Sequence, residues 1–91
     1  MRLDKFLKLA RLVKRRTIAQ EMIELGAVRL DGRPCKSSSE VKEENIIDIA
    51  YMTRVLKVKV LCADENLLKR PHTISWEQIE ERKISHDEKP F

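Results

Sequence analysis

Met1-Arg2-Leu3-Asp4-Lys5-Phe6-Leu7-Lys8-Leu9-Ala10-Arg11-Leu12-Val13-Lys14-Arg15-Arg16-Thr17 opens the chain, and its reading decides the fold. Leu3, Phe6, Leu7 and Ala10 recur at i, i+3, i+4 and i+7, which is one stripe of an amphipathic helix. At about 100° per residue, Lys5, Lys8 and Arg11 fall within about 120° of one another, roughly opposite that stripe. One face therefore packs while the other presents charge. Asp4 has two readings, a helix cap facing the positive end of the dipole or a brace that orients Arg2; the cap is the favoured one. Leu12 to Arg16 reads as a connection, because three consecutive cations repel one another within a single turn. Thr17 then starts a second helix, with Gln20 three residues on in a capping-box pattern. Its stripe is Ile18, Ala19, Met22 and Ile23, and Gly26 supplies a left-handed stop. The start of that helix, next to the junction cations, suits a phosphate.

Charge is concentrated in this head. Residues 1–16 hold seven Lys or Arg and one acid, whereas the whole chain of 91 residues carries a formal net charge of +4. Residues 37–61 are neutral and residues 62–91 carry −2. A basic patch on one end of the molecule fits a polyanionic partner; the plain alternative is a solvated basic surface. The length allows one domain with a small core. Four aromatics leave that core to Leu, Ile, Val and Met. No run approaches the roughly 20 apolar residues of a membrane span, and charges at 2, 4, 5 and 8 interrupt any signal-peptide core. The reading is a cytoplasmic protein without a membrane partner. Cys35 and Cys62 are expected to be reduced and structural, with no metal or other cofactor.

Beyond the head, Ala27-Val28-Arg29-Leu30 reads as a short strand and Asp31-Gly32 as a hairpin turn. Arg33-Pro34-Cys35-Lys36 returns as an edge, since Pro34 lacks a donor. Ser37-Ser38-Ser39 is loop, and Val41 is a candidate core contact. Ile46 to Tyr51 reads as a buried strand. Val58 and Val60, alternating with Lys57 and Lys59, form a half-exposed one. Past Asp64 the signal weakens. Ser75 with Gln78 would cap a short helix over 76–84 anchored by Trp76 and Ile79, and residues 86–91 read as disordered.

Arg2-Leu3-Asp4-Lys5-Phe6-Leu7, Arg16-Thr17-x-Ala19, Gly26-x-Val28 with Asp31-Gly32, and Lys36-Ser-Ser before Val41 resemble, in order and spacing, the S4 RNA-binding domain, also called the alpha-L RNA-binding motif. The resemblance implies an α+β fold, two short helices packed on a small, mainly antiparallel β-sheet. Residues 1–61 would form the RNA-binding domain and 62–91 a C-terminal extension, partly helical or disordered. Two departures stand out: Asp31-Gly32 where the family often has Asn-Gly, and Glu44-Asn45 where Gly-Asp is usual before the last core strand. The opening and Arg11-Leu12-Val13-Lys14-Arg15-Arg16-Thr17 are further similar to small members of this family that serve ribosome quality control in Gram-positive bacteria. That similarity implies binding to an obstructed large ribosomal subunit through its rRNA and the peptidyl-tRNA. It also implies an RqcH-like partner that extends stalled chains with alanine, and Arg2 and Arg16 as RNA contacts. Off the ribosome the chain is expected to be a monomer.

The expected RNA-binding set is Arg2, Asp4, Lys5, Lys8, Arg11, Lys14, Arg15 and Arg16, with Arg33 and Lys36 either extending the patch or standing as solvated surface. Arginine engages phosphate bidentately and lysine as a point charge, which ranks Arg2 and Arg16 first. Phe6 is core by its spacing, so base stacking on aromatics is not the expected device. No nucleophile has a base beside it, and the chain reads as a binding factor and not an enzyme. Other readings are a general rRNA-binding heat-shock or ribosome-assembly factor, a helix-turn-helix DNA regulator, a membrane-surface helix, and an accessory domain of an RNA-modifying enzyme. The second helix offers only Gln20, Glu21 and Glu24 for reading bases, which counts against the DNA regulator.

Overall fold

Alternating apolar residues build the centre of the molecule. In the computed structural model, which describes residues 1–85 and 87–91, the elements run α1 (Leu3–Leu9), α2 (Arg16–Glu24), β1 (Val28–Leu30), β2 (Arg33–Pro34), β3 (Ile46–Ala50), β4 (Arg54–Val60), α3 (Glu65–Leu68) and β5 (Trp76–Lys83). The five strands form one sheet in the order β2-β1-β3-β4-β5, every neighbour antiparallel. Val28, Ile47, Ile49, Leu56, Val58 and Val60 face inward and meet Leu3, Phe6 and Leu7 of α1 and Ala19 and Ile23 of α2. Each such side chain contributes about 1.5–3 kcal/mol on burial. Leu12, Val13 and Val41 join this core from connecting segments.

The turns follow local chemistry. Asp31 and Gly32 both have positive φ, 51° and 76°, as a two-residue hairpin requires. Asp31 also stitches the turn to β3, accepting hydrogen bonds from the Ile46 N–H and the Asn45 amide, each at 2.8 Å. Glu44, where a glycine is usual in the resembling family, adopts φ 76°. Its carboxylate is 2.9 Å from the Lys59 ammonium. Gly26 closes α2: its N–H donates to the Ile23 carbonyl and that of Ala27 to Met22, the two bonds of a Schellman stop. Cys35 and Cys62 are both free.

Several expectations need correction. Residues 76–83 form a strand and not a helix. They are rich in helix formers, but the open edge of β4 pairs them, and Lys57–Glu80 and Lys59–Glu77 sit directly across while Arg54 reaches Glu81 at 2.8 Å. An extra residue, Ile79, interrupts the register between Lys57 and Val58, so β5 shows no clean period of two. Charge along this edge strand also discourages pairing with other chains. Ile18 is exposed, not part of the buried stripe, because α2 turns only Ala19 and Ile23 fully inward. Thr17 makes no capping bond among the described residues: α2 starts at Arg16, with Arg15 as an N-cap that has no side-chain cap hydrogen bond. Of the last residues, expected to be disordered, Pro90 and Phe91 are placed against the sheet. The Pro90 carbonyl accepts from Arg82 at 2.6 Å, and the Phe91 ring lies 4.8 Å from the Arg29 guanidinium on the outer face of the sheet. His86 lies outside the described residues.

Candidate nucleic-acid interface

The site forms around one buried carboxylate. Asp4 is fully buried, inside the first turn of α1 and not at its cap. The cap is supplied elsewhere: Leu3 N–H donates to the Ser39 carbonyl at 2.8 Å and Asp4 N–H to Ser37 at 3.2 Å. The serine triplet thereby takes orphan donors at the helix start, and the Asp4 side chain is left for another task. Its Oδ1 accepts from Arg2 Nε at 3.1 Å and from the Lys5 N–H at 2.8 Å. Its Oδ2 accepts from Arg2 Nη2 at 3.2 Å, Arg16 Nε at 3.2 Å and Gln20 Nε2 at 2.8 Å. Burial opposes ionisation, yet the bonds from Arg2, Gln20, Arg16 and the Lys5 N–H together outweigh it and hold the carboxyl far below the ordinary carboxylate range. Of the two readings of Asp4, the brace is what the structure shows.

This arrangement determines what the arginines present. Their side chains are 50% and 44% exposed while their anchored edges touch a buried anion. Arg16 spends only Nε on Asp4. A guanidinium carries five N–H donors in a rigid fork, and neither terminal nitrogen of Arg16 has a partner among the described residues, which leaves both for an external acceptor. Two forks fixed by one carboxylate form a preorganised pair that matches phosphate geometry. Gln20, expected as half of a capping box, is instead the third arm of this cluster. The sequence does hold a signal for it, since Arg16 and Gln20 are four apart and share a helix face.

The other expected residues divide into groups. Lys36 joins Arg2, Ser37 and Ser38 around a cleft of about 360 Å³. Lys5 pairs with Glu65 of α3. Arg11 does not continue the α1 face: the helix ends at Leu9, Ala10 is its C-cap, and Arg11 follows with φ 61°. Lys8, Arg11 and Lys14 line a second groove instead. Arg15 is exposed beside the uncapped first turn of α2. Arg33 lies on the edge strand β2, and no ion pair or hydrogen bond among the described residues joins it to the Asp4 cluster. Two aromatics hold the junction between the helices. The Tyr51 hydroxyl donates to the Leu12 carbonyl at 2.7 Å and Trp76 Nε1–H to the Ala10 carbonyl at 3.0 Å. Neither role is visible in the sequence, because both partners are backbone atoms distant in the chain. Among the described residues no group of three or more His, Cys, Asp or Glu side chains is placed to hold a metal ion, and no helix is long and apolar enough to cross a membrane.

Two short helices packed on a small antiparallel sheet are the architecture on which this cluster is built. The S4 domain model matches residues 1–47. The chain belongs to the S4 domain family. Over nearly its whole length it is similar to proteins named RQC P-site tRNA stabilizing factor. That of Streptococcus pneumoniae is 34% identical, the match covering 96% of this chain and 99% of the relative. That of Halalkalibacterium halodurans is 36% identical, covering 97% and 100%. Among solved structures, the trimeric structure of Vibrio cholerae Heat Shock Protein 15 superposes with a TM-score of 0.75 at 23% identity. That match covers 87% of this chain and 81% of the other, and it bears on the fold.

Proposed function

We propose that this chain is a non-enzymatic RNA-binding factor of ribosome-associated quality control. It steadies the peptidyl-tRNA in the P site of a large ribosomal subunit obstructed by a stalled nascent chain. The observation that carries this reading is the match, across nearly the full length of both chains, to relatives named for stabilising P-site tRNA. The Asp4 cluster supplies a physical means. Arg2 and Arg16 are held at fixed positions before any ligand arrives, so little side-chain entropy is lost when phosphate binds. Structured RNA is read mainly through its backbone and 2′-hydroxyls, which suits a rigid pair of forks better than a stacking platform. In this reading the cluster and its neighbours Lys36 and Arg15 meet large-subunit rRNA and the tRNA. The protein works in the cytoplasm and as a monomer off the ribosome, and the tRNA it holds serves an RqcH-like protein adding alanine.

The test is co-sedimentation with large subunits carrying peptidyl-tRNA at moderate salt. Arg2→Ala with Arg16→Ala is expected to abolish it. Because both side chains also neutralise the buried Asp4, the same pair combined with Asp4→Asn, which removes that charge, is run beside it. That triple variant is expected to be folded by circular dichroism and equally unable to sediment. Unchanged sedimentation overturns the assignment of the site. Recovery of free rRNA alone, without large subunits, tRNA or an RqcH-like protein, reduces the function to general RNA binding.

A further inference from the structure

The turn that ends α1 repeats the turn that ends α2, with one difference. In both, the residue after the C-cap is left-handed and two N–H groups reach back: Gly26 to Ile23 at 3.0 Å and Ala27 to Met22 at 2.9 Å, Arg11 to Lys8 at 3.1 Å and Leu12 to Leu7 at 3.0 Å. Glycine adopts its φ of 78° freely, whereas Arg11 is held at 61°, a region that L side chains disfavour. The stop itself does not need an arginine, since glycine makes the same bonds elsewhere in this chain. What Arg11 adds is its side chain, and strain of this kind points to a functional reason.

That side chain lines a groove of about 570 Å³ with Lys8, Lys14 and Lys69, over aliphatic Leu9, Val13 and Leu68. A smaller cleft of about 200 Å³ also includes Arg11 and continues past Lys69 and Arg70 to Ser75. Five cations thus meet from two segments far apart in sequence. The walls are anchored: Leu68 is buried, Trp76 holds the Ala10 carbonyl, and Glu65 bridges Lys5 and Lys69. Both partners of Glu65 are already cations, so its charge is spent there. Among the described residues no carboxylate lies within ion-pair distance of Lys8, Arg11, Lys14 or Arg70. An apolar floor rimmed by ammonium and guanidinium groups, without an aromatic, fits a sugar-phosphate backbone and not stacked bases.

We propose that the segment after α3 completes a second RNA-backbone groove, in which Lys69 and Arg70 act together with Lys8, Arg11 and Lys14. It shares no lining residue with the cleft beside Arg2, and two of its cations lie outside the S4 match. The proposal rests on the RNA-binding reading above. The test measures fluorescence anisotropy of a labelled RNA duplex of about 20 base pairs, long enough for the two successive minor grooves that a shape-reading protein spans, across a salt series. Lys69→Ala with Arg70→Ala is expected to weaken binding and to lower the log–log salt slope by about one for each phosphate no longer engaged. Arg11→Gly is expected to weaken binding several-fold while Tm stays level or rises, because strain is relieved. Lys83→Ala with Lys89→Ala removes the same charge away from the groove and serves as control. Arg70→Ala alone, which disturbs no side-chain hydrogen bond or ion pair among the described residues, replaces the double variant if that one fails to fold. An unchanged slope in the groove variants, an equal loss in the control, or a lower Tm for Arg11→Gly overturns the proposal. If Arg2→Ala with Arg16→Ala loses the duplex and the groove variants do not, only the groove falls. If the unaltered chain binds no duplex, the RNA reading falls with it.

Discussion

Asp4 is the residue on which the rest of the site depends. A buried carboxylate is tolerated when hydrogen-bonded and paired, and here five bonds converge on its two oxygens. Asp4→Asn removes the charge and mismatches at least one donor. The expected loss of folding stability is about 1–3 kcal/mol, read as a lower urea midpoint. Arg2 and Arg16, half-exposed, would rehydrate without further penalty, so their loss of alignment should show itself as weaker RNA binding. The pH dependence has a definite sign. Because the folded pKa is depressed from its ordinary 3.8, the Asp4 contribution is complete above the unfolded value and is lost as pH falls toward the folded one. The stability gap between the unaltered chain and Asp4→Asn should therefore be widest near neutrality and narrow progressively below about pH 4. Thermal melts of both from neutral to strongly acidic pH check this; a gap that widens with acid contradicts it. At Gly26 a Cβ would meet nothing within 4 Å, so Gly26→Ala isolates the cost of positive φ. About 1 kcal/mol of destabilisation is expected, read from the same denaturation curves.

At the scale of elements, the helix pair is placed by the sheet. Tyr51 follows β3 and Trp76 opens β5, and their bonds to Leu12 and Ala10 fix the connection from which Arg11 to Arg16 project. Tyr51→Phe and Trp76→Phe each leave a backbone carbonyl without its partner. Each should lower stability by about 1 kcal/mol. Trp76→Phe should also weaken RNA binding, because it loosens the Arg11 turn. Hydrogen exchange at the amides of residues 11–13 would reveal that loosening, and unchanged protection would show the bond to be dispensable. The departure of β5 from its expected helix belongs at this scale as well. Its Glu, Gln, Arg and Lys content carries a helical preference, but the edge of β4 supplies hydrogen bonds and facing cations that only the assembled sheet contains.

For the molecule as a whole, the sheet carries a balanced outer face and the connection between α1 and α2, with Arg11, Lys14 and Arg15 and no acid, an unbalanced one. Across the strands, Arg29 pairs with Asp48, Asp48 with Lys57 and Lys57 with Glu80 in register, so charge alternates there. The Lys57 ammonium lies 4.0 Å from both carboxylates, and burial still pushes the Asp48 carboxyl up despite that neighbour. Beyond the buried Asp4, no carboxylate among the described residues lies within ion-pair distance of Lys14, Arg15 or Arg16. RNA affinity should fall steeply with salt, as several condensed counterions are released on binding, while thermal stability changes little. Parallel salt titrations of binding and melting test this, and equal sensitivity of both would contradict it. Because β5 pairs the whole length of β4 and Leu68 sits in the core, a chain cut after residue 61 is expected to melt well below the full chain.

The first helix, the Gly26 stop, the Asp31-Gly32 hairpin and the central strands are legible in the sequence because each is specified within a few residues, by periodicity or by the φ values a turn demands. The basic character of one end is legible too, since charge is counted and not folded. Tertiary structure decided what those charges do. Whether Asp4 capped a helix or braced two arginines depended on the serine loop taking the helix donors first. Whether Lys69 and Arg70 met Arg11 depended on α3 docking through Leu68. The partners in each case lie dozens of residues apart, where no local pattern records the contact and only burial and hydrogen-bond satisfaction in the assembled core select it.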